Sequence, residues 1–489
     1  MVEKHFSMLL TRFPEVRVMV VGDIYLDEMV FGLVTEVSLE APIPVYEVHE
    51  RRYNPGAAGN AACNAAALGA KTYMVGVVGD DINAGIVRRE FEVRNVDIAH
   101  LVVDPSRPTN TYGKLRAGGH NIPTQEILRT DTPKPVMITG DIEAQLVAQV
   151  KALAPHVDAI LIGDQASATI SEKVLDTIVT CAREHKLVTV ADSRKRAGIF
   201  KGIDIVVPND AEAGLAAGID VVDEHSLHAA GKALLKSARN ALVTRGPHGI
   251  TIFASDGGID DVPIKPVQVI DVTGAGDTVA AAVIITMSAG GTLHDAARLG
   301  NAAAGAAVAQ EGVVTVSLEE LKAAVLGHGG PAKVKSLAQL KPLAQRLKAQ
   351  GKRVVWTNGC FDLLHVGHIT YLQRARQKGD LLVVGLNSDA SVRENKGPNR
   401  PVVNERDRAV VLAALECVDY VIIFDGKTPM PLLEALQPDV YAKGGDYTID
   451  TIVQTERRLV EGYGGAIAII PGIEGQGTTQ IIDKIRDER

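Results

Sequence analysis

The apolar positions of this chain fall into short, nearly continuous runs separated by longer helical or loop-like intervals. Residues 16–22 (VRVMVVG) form the first run and close on a glycine. Residues 159–164, 187–192 and 203–208 repeat the pattern, and 241–249 add a run ending in a glycine-punctuated turn. Runs of this kind predict strands buried on both faces, and their alternation with helical intervals predicts βαβ units around a parallel sheet. Between residues 101 and 129 the pattern turns short and polar, as expected of a hairpin flap. A breaker cluster at 327–331 (GHGGP) then precedes a basic helical pattern over 336–351. A new strand opens at Lys352, and 381–389 (LLVVGLNSD) supplies another. The expected organisation is an α/β domain over 1–328, a linker over 329–351 and a smaller α/β domain over 352–489.

Candidate chemistry concentrates at two strand-to-helix junctions. Residues 271–278 read DVTGAGDT, after a β-branched run at 267–270 expected to be extended and before an alanine-rich helix. Gly274 and Gly276 let the backbone turn tightly, so that the amides of Ala275 and Gly276 and the helix N-terminus form an anion cradle. Asp277, just inside that helix, is placed to take a proton from a hydroxyl while a phosphoryl group is held alongside. A capping carboxylate is the plainer role for an acid there. The second junction, residues 356–368, reads WTNGCFDLLHVGH. His365 and His368 lie three apart and share a face on a first helical turn, with Gly367 leaving room for a triphosphate. Paired imidazoles and helix-start amides suit charge building on an α-phosphate; a metal-binding pair is the competing use.

DVTGAGDT resembles the carboxy-terminal signature of the ribokinase-like (PfkB) sugar kinases, a fold of three layers with a β flap. The resemblance implies roles upstream. Asn209-Asp210-Ala211-Glu212 matches the family's NxxE element, which organises Mg2+ and ATP phosphates, with Glu212 acting largely through water. Thr244, Gly246 and Gly249 fall in a nucleotide-contacting loop, and Asn301 in the adenine pocket. Gly56 and Asn60 belong to the amino-terminal glycine motif, Asn60 as a sugar contact. Asp23 and Asp27, following the first strand, suit sugar hydroxyls, with a turn role for Asp23 of equal weight. Lys114, Arg116 and Arg129 in the flap suit a phosphate already on the sugar, although solvated strand charges are commoner.

The second junction resembles the HxGH cytidylyltransferase-like nucleotidyltransferases, a Rossmann-like fold. The likeness implies nucleotide contacts at Thr357, Asn358, Gly359, Cys360, Phe361 and Gly367, and a phosphate-reaching Lys396. It also implies contacts at Arg408, at Lys443, Gly444 and Asp446 of a KGGDY loop, and at Thr478 and Thr479. In this order the two domains resemble the bifunctional heptose 7-phosphate kinase/heptose 1-phosphate adenylyltransferases of ADP-heptose biosynthesis. Heptose phosphates and ATP would be the substrates, and the kinase domain would form a homodimer. Residues 163–166 (GDQA) and 192–196 (DSRKR) depart from the pattern near the expected sugar. They leave open another phosphorylated sugar or polyol, CTP in place of ATP, or a kinase domain serving as a non-catalytic dimerising scaffold.

Composition narrows the setting. A length of 489 residues requires more than one domain, and 46% hydrophobic residues suffice for sizeable cores. A net charge of −8 argues against nucleic-acid binding. Four scattered cysteines without CxxC spacing, a charged first twenty residues and no apolar run of about 18–20 residues lead us to expect a cytoplasmic enzyme without a membrane anchor.

Overall fold

The computed structural model describes residues 2–471 other than 120–121, 133–135, 166–167, 266, 268, 311, 327–332, 350, 446–447 and 449. It comprises two compact units, Met1–Leu326 and Gly327–Arg489. Among the described residues no helix is long and apolar enough to cross a membrane.

In the first unit the apolar runs become neighbouring strands. Arg17–Gly22 pairs in parallel with Ala159–Asp164 on one side and Lys71–Val75 on the other. The sheet continues through Val188–Ser193, Ile203–Val206 and Ala238–Thr244. The antiparallel strands Ile250–Phe253 and Ile259–Val262 finish that edge. Because the chain leaves Arg17–Gly22 first to one side and later to the other, a crevice opens at the carboxyl ends of these strands. The helix Ala58–Ala67 starts there against bare backbone. A Cβ on Gly22 would stand 2.0 Å from Gly163 O, and one on Gly163 2.6 Å from Ala58 Cβ.

Two expectations need correction. The described residues of the run at 267–270 form no strand: the last strand of the sheet ends at Val262, and Val267, Val269 and Ile270 are exposed. The signature loop instead docks through Ile270 N–H on Val308 O, at the end of the helix Leu293–Val308. The flap is also larger than the polar stretch at 101–129. Its four strands run in the order Pro44–Ala57, Ile24–Val37, Thr111–Gly119 and Ile122–Asp131. The first hairpin escaped pattern reading because much of it is exposed, so no clear alternation marks it.

The second unit holds a parallel sheet in the order Tyr420–Phe424, Leu381–Asn387, Val354–Gly359, Val440–Gly445, Ala466–Pro471. Its switch point lies at the carboxyl end of Val354–Gly359. The segment expected as a linker is partly built into this unit. Leu340 and Ala344 of the helix Leu337–Ala349 are buried with Trp356, Leu433 and Leu436, and Val334 bridges Val421. We therefore expect fragments cut between 326 and 333 to fold separately. A second fragment beginning at Lys352 should lose about 2 kcal/mol or more, the scale of withdrawing one leucine-sized side chain from a core. Urea unfolding of the two versions of the second fragment checks this.

Candidate active sites

The helix Ala275–Ser288 begins at Gly274, whose φ of 81° is left-handed. Asp271 pins the preceding turn, its carboxylate accepting from Thr273 N–H, Thr273 Oγ1–H and Gly312 N–H. Asp277 is half-buried on the first turn and accepts a hydrogen bond from Asn60 Nδ2 at 2.7 Å. A Cβ on Gly274 would lie 2.7 Å from that same Nδ2, whereas one on Gly276 would meet nothing within 4 Å. Gly274→Ala should therefore strain the backbone and displace the Asn60 amide, lowering the melting temperature and kinase rate together. Gly276→Ala should leave the melting temperature unchanged, so any rise in KM for ATP would report a ligand close to that backbone.

Asp277 lines one cavity with Asp27, Asn60, Lys114, Arg129 and Arg194. The elements that deliver them are the signature helix, three flap strands, the alanine-rich helix and the loop after Val188–Ser193. Gly56 closes the wall, where a Cβ would stand 2.8 Å from Asp27 Oδ2. Tyr25 and Tyr112 stack at 4.4 Å, with Arg129 4.3 Å above Tyr112. Burial pushes the Asp277 acid up to about 6, opposed by the Asn60 hydrogen bond and Arg194. Burial likewise raises Asp27, against the fields of Lys114, Arg129 and Arg194. Asp192 is raised by burial and then by Asp277 and Glu212. The result is a crevice with acids near the reacting position and three cations around it.

The second centre follows Val354–Gly359. His365 caps the helix Val366–Arg376 without a side-chain hydrogen bond, and its ring lies 4.0 Å from that of His368. Nδ1 of both rings is buried with no protein partner. Burial, the neighbouring His365 and Lys396 hold His368 down to about 4, and burial lowers His365 also. Both imidazoles are thus neutral at pH 7. Asp362 anchors the loop beyond Lys396, accepting from Arg400 Nε, Val402 N–H and Val403 N–H.

Two family models divide the chain: pfkB family carbohydrate kinase over residues 17–321 and Cytidylyltransferase-like over 356–485. The "Bifunctional protein HldE" of Geobacter sulfurreducens is 40% identical, the match covering 99% of both chains. That of Nitrobacter hamburgensis is 39% identical over 98% of both. The chain belongs to the HldE family of bifunctional proteins. It is a sugar kinase joined to a nucleotidyltransferase. The kinase fold is seen again in Arabidopsis thaliana ribokinase complexed with ribose and ATP, at TM-score 0.51 and 19% identity. That match covers 63% of this chain and 98% of the ribokinase. Phosphofructokinase-2 from Escherichia coli gives 0.52 and 18%, covering 64% and 99%.

Within this HldE chain several expected contacts are occupied by the protein itself. Asp23 is buried, and its carboxylate accepts from Gln165 N–H at 3.0 Å, a contact to the chain leaving the neighbouring strand rather than within its own turn. Arg116 lies 5.8 Å from the Phe31 ring and is not among the residues lining the cavity, although its charge reaches Asp271 of the signature loop. Asn209 and Glu212 form a capping box, each side chain accepting from the other's N–H, with Asp210 and Ala211 in the first turn between them. Burial still raises Glu212, and its charge reaches Asp192 and Asp277. Thr244 ends its strand beside Asn209, and Gly246 and Gly249 take positive φ in the following turn. Asn301 is buried and donates to Val262 O, which ties its helix to the sheet edge.

In the second unit Arg408 is buried and bonded to Val403 O, Cys360 O and Asp389, so it staples the loop after the first strand. Thr357 is buried against the Tyr371 hydroxyl. Asn358 Oδ1 accepts from Lys443 Nζ at 3.2 Å, and Lys443 also pairs with Glu456. Gly444 is required by packing, since a Cβ would stand 2.4 Å from the Tyr371 ring. Gly359, Cys360, Phe361 and Gly367 line the turn into the histidine helix, where the Phe361 ring lies 5.4 Å from His368. Asp446, Thr478 and Thr479 lie outside the described residues. Arg194, Tyr25 and Tyr112 were not anticipated. Arg194 was legible as a basic residue after a buried strand; the tyrosine pair required the flap register Asp27↔Tyr112.

Proposed function

We propose that this chain phosphorylates heptose 7-phosphate at the anomeric hydroxyl and, in its second unit, joins AMP from ATP to heptose 1-phosphate. ADP-heptose and pyrophosphate are the final products. The observation that carries the kinase half is the single cavity holding Asp277, Asp27 and Asn60 with Lys114, Arg129 and Arg194. Asp27 and Asn60 supply hydrogen bonds to sugar hydroxyls. The three cations supply the charge a sugar phosphate requires. Asp277 takes the proton of the anomeric hydroxyl as its oxygen bonds to the γ-phosphorus and the bond to the β-phosphate oxygen breaks. The amides of Gly276 and Asp277 face the transferred group; those of Ala275, expected in the cradle, and Thr278 donate instead to Val272 O and Gly274 O.

Mg2+ suits this crevice, because burial raises Asp192, Glu212 and Asp277, the charge of Glu212 raises the other two further, and a cation would relieve them. Among the described residues no cluster of three or more His, Cys, Asp or Glu is shaped to hold a metal directly. Glu212 would therefore act through water, and the ion would neutralise the ATP phosphates. In the second unit His365 and His368 hydrogen-bond the α-phosphate as the sugar phosphate attacks it, with Lys396 on the leaving pyrophosphate. The apolar flap residues Leu33, Val34, Val48 and Leu128 are exposed, which favours a homodimer through the flap. A cytoplasmic setting supplies the ATP and agrees with four unpaired thiols.

Mass spectrometry of products from purified protein, ATP or CTP, Mg2+ and a panel of sugar phosphates tests the reading. Heptose 1,7-bisphosphate and ADP-heptose are expected. Turnover of another sugar phosphate only, or CDP-linked product, would replace the substrate assignment.

A further inference from the structure

Asn60 faces the proposed base, and the residue that holds Asn60 lies outside the cavity. Asn64 sits one turn along the same helix and is fully buried. Its Nδ2 donates to Asn60 O at 3.0 Å and reaches Asn60 Oδ1 at 3.2 Å. Its Oδ1 lies 3.0 Å from Thr278 Oγ1, the residue after Asp277, and that hydroxyl also lies 3.1 Å from Gly274 O. A main-chain carbonyl only accepts, so Asn64 must present its NH2 group to Asn60. The same NH2 then takes Asn60 Oδ1 as its second acceptor, which turns Asn60 Nδ2 outward to Asp277 Oδ2. The opposite Asn60 orientation would set a carbonyl against a carboxylate, with no proton between them.

We infer that Asn64, clamped by Thr278, is a positioning residue for the kinase reaction: it selects the Asn60 amide orientation that donates to Asp277. This rests on Asp277 being the base. Flipping one amide would leave the backbone in place yet remove the hydrogen bond that opposes protonation of Asp277. The other charged groups around Asp277 come from separate elements: Asp27, Lys114 and Arg129 from the flap, Asp192 and Arg194 from the carboxyl end of the central strand Val188–Ser193, and Glu212 from its own helix. Substituting Asn64 alters none of them.

The test uses the full-length chain with Asn64→Leu, Thr278→Val, Asn60→Ala and the Asn60→Ala/Asn64→Leu double variant. Asn64→Leu should lower kinase kcat roughly tenfold to a hundredfold, the scale of a misaimed reacting group. KM for ATP should move less than about twofold, and the acid limb of the kinase pH profile should rise by about one unit. In the Asn60→Ala background the Asn64 change should cost less than about twofold, because it acts through Asn60. Additive losses, or an acid limb that stays in place, in variants melting near the parent temperature would overturn the positioning role. If Asn64→Leu does not fold, the near-isosteric Thr278→Val carries the same kcat and pH comparison. Asp277→Asn is run alongside. Retained rate there overturns the base and this inference with it; lost rate with an unmoved Asn64→Leu acid limb overturns the inference alone.

Discussion

Asp277→Asn is expected to lower the kinase rate by roughly 10² to 10⁴, the scale for loss of a positioned general base. The substitution keeps the shape and the hydrogen-bonding reach of the side chain, and it removes the only property a base needs. The affinity for ATP should change little, because no phosphate donor is lost. Adenylyl transfer should be unchanged, since His365 and His368 belong to the other unit. The parent enzyme should also show an acid limb in kinase rate near pH 6. Asp277 is held at about 6 by burial, so below that pH the carboxylate gains the proton it must be ready to accept. The amide that replaces it has nothing to titrate, and the residual activity of the variant should lose that limb. Initial rates across pH 5 to about 8 measure both effects. Near-parental phosphorylation by the variant would remove Asp277 from the mechanism.

The amount of this site that can be read from sequence depends on what each residue requires of its neighbours. Gly274, Asp277, His365 and His368 are legible because a tight turn and a helix start are local events, fixed by residues adjacent in the chain. Asp27, Lys114 and Arg129 are individually ordinary. They acquire a role only because the flap pairs Met29 with Lys114 and Lys114 with Arg129 over the crevice. Arg194 lay in a stretch that departed from the family pattern, yet it is the cation whose charge opposes protonation of Asp27, Asp192 and Asp277 alike.

Other residues already hold partners within the protein. Arg408 and Asn301 have side chains suited to nucleotides, but each is buried against main-chain carbonyls of its own unit. A polar side chain's type does not reveal which partner it has already found. The same distinction separates Asp23 from Asp27, which follow each other closely on the approach to the flap. One carboxylate is spent on the Gln165 amide, and the other opens into the cavity.

Changing either His365 or His368 to alanine should lower the adenylyl-transfer rate by about 10² to 10³, the usual cost of one preorganised donor to a developing charge. The rings lie 4.0 Å apart at the start of one helix, and burial keeps both neutral at pH 7. A neutral imidazole can donate one N–H to an oxygen of the α-phosphate. The incoming triphosphate also favours its protonated form, so donor strength should grow as charge accumulates on that phosphate. Interactions that strengthen in this way appear in kcat more than in KM, so nucleotide affinity should fall far less than rate. Kinase activity should persist in both variants. A histidine pair serving a metal would behave differently: its loss would remove bound zinc, and chelation would silence the parent enzyme. Zinc content, together with activity after chelation and replacement with Mg2+, separates these two uses of the same residues. Activity retained in Mg2+ alone is the outcome expected of a phosphate-binding pair, and dependence on tightly held zinc would overturn it.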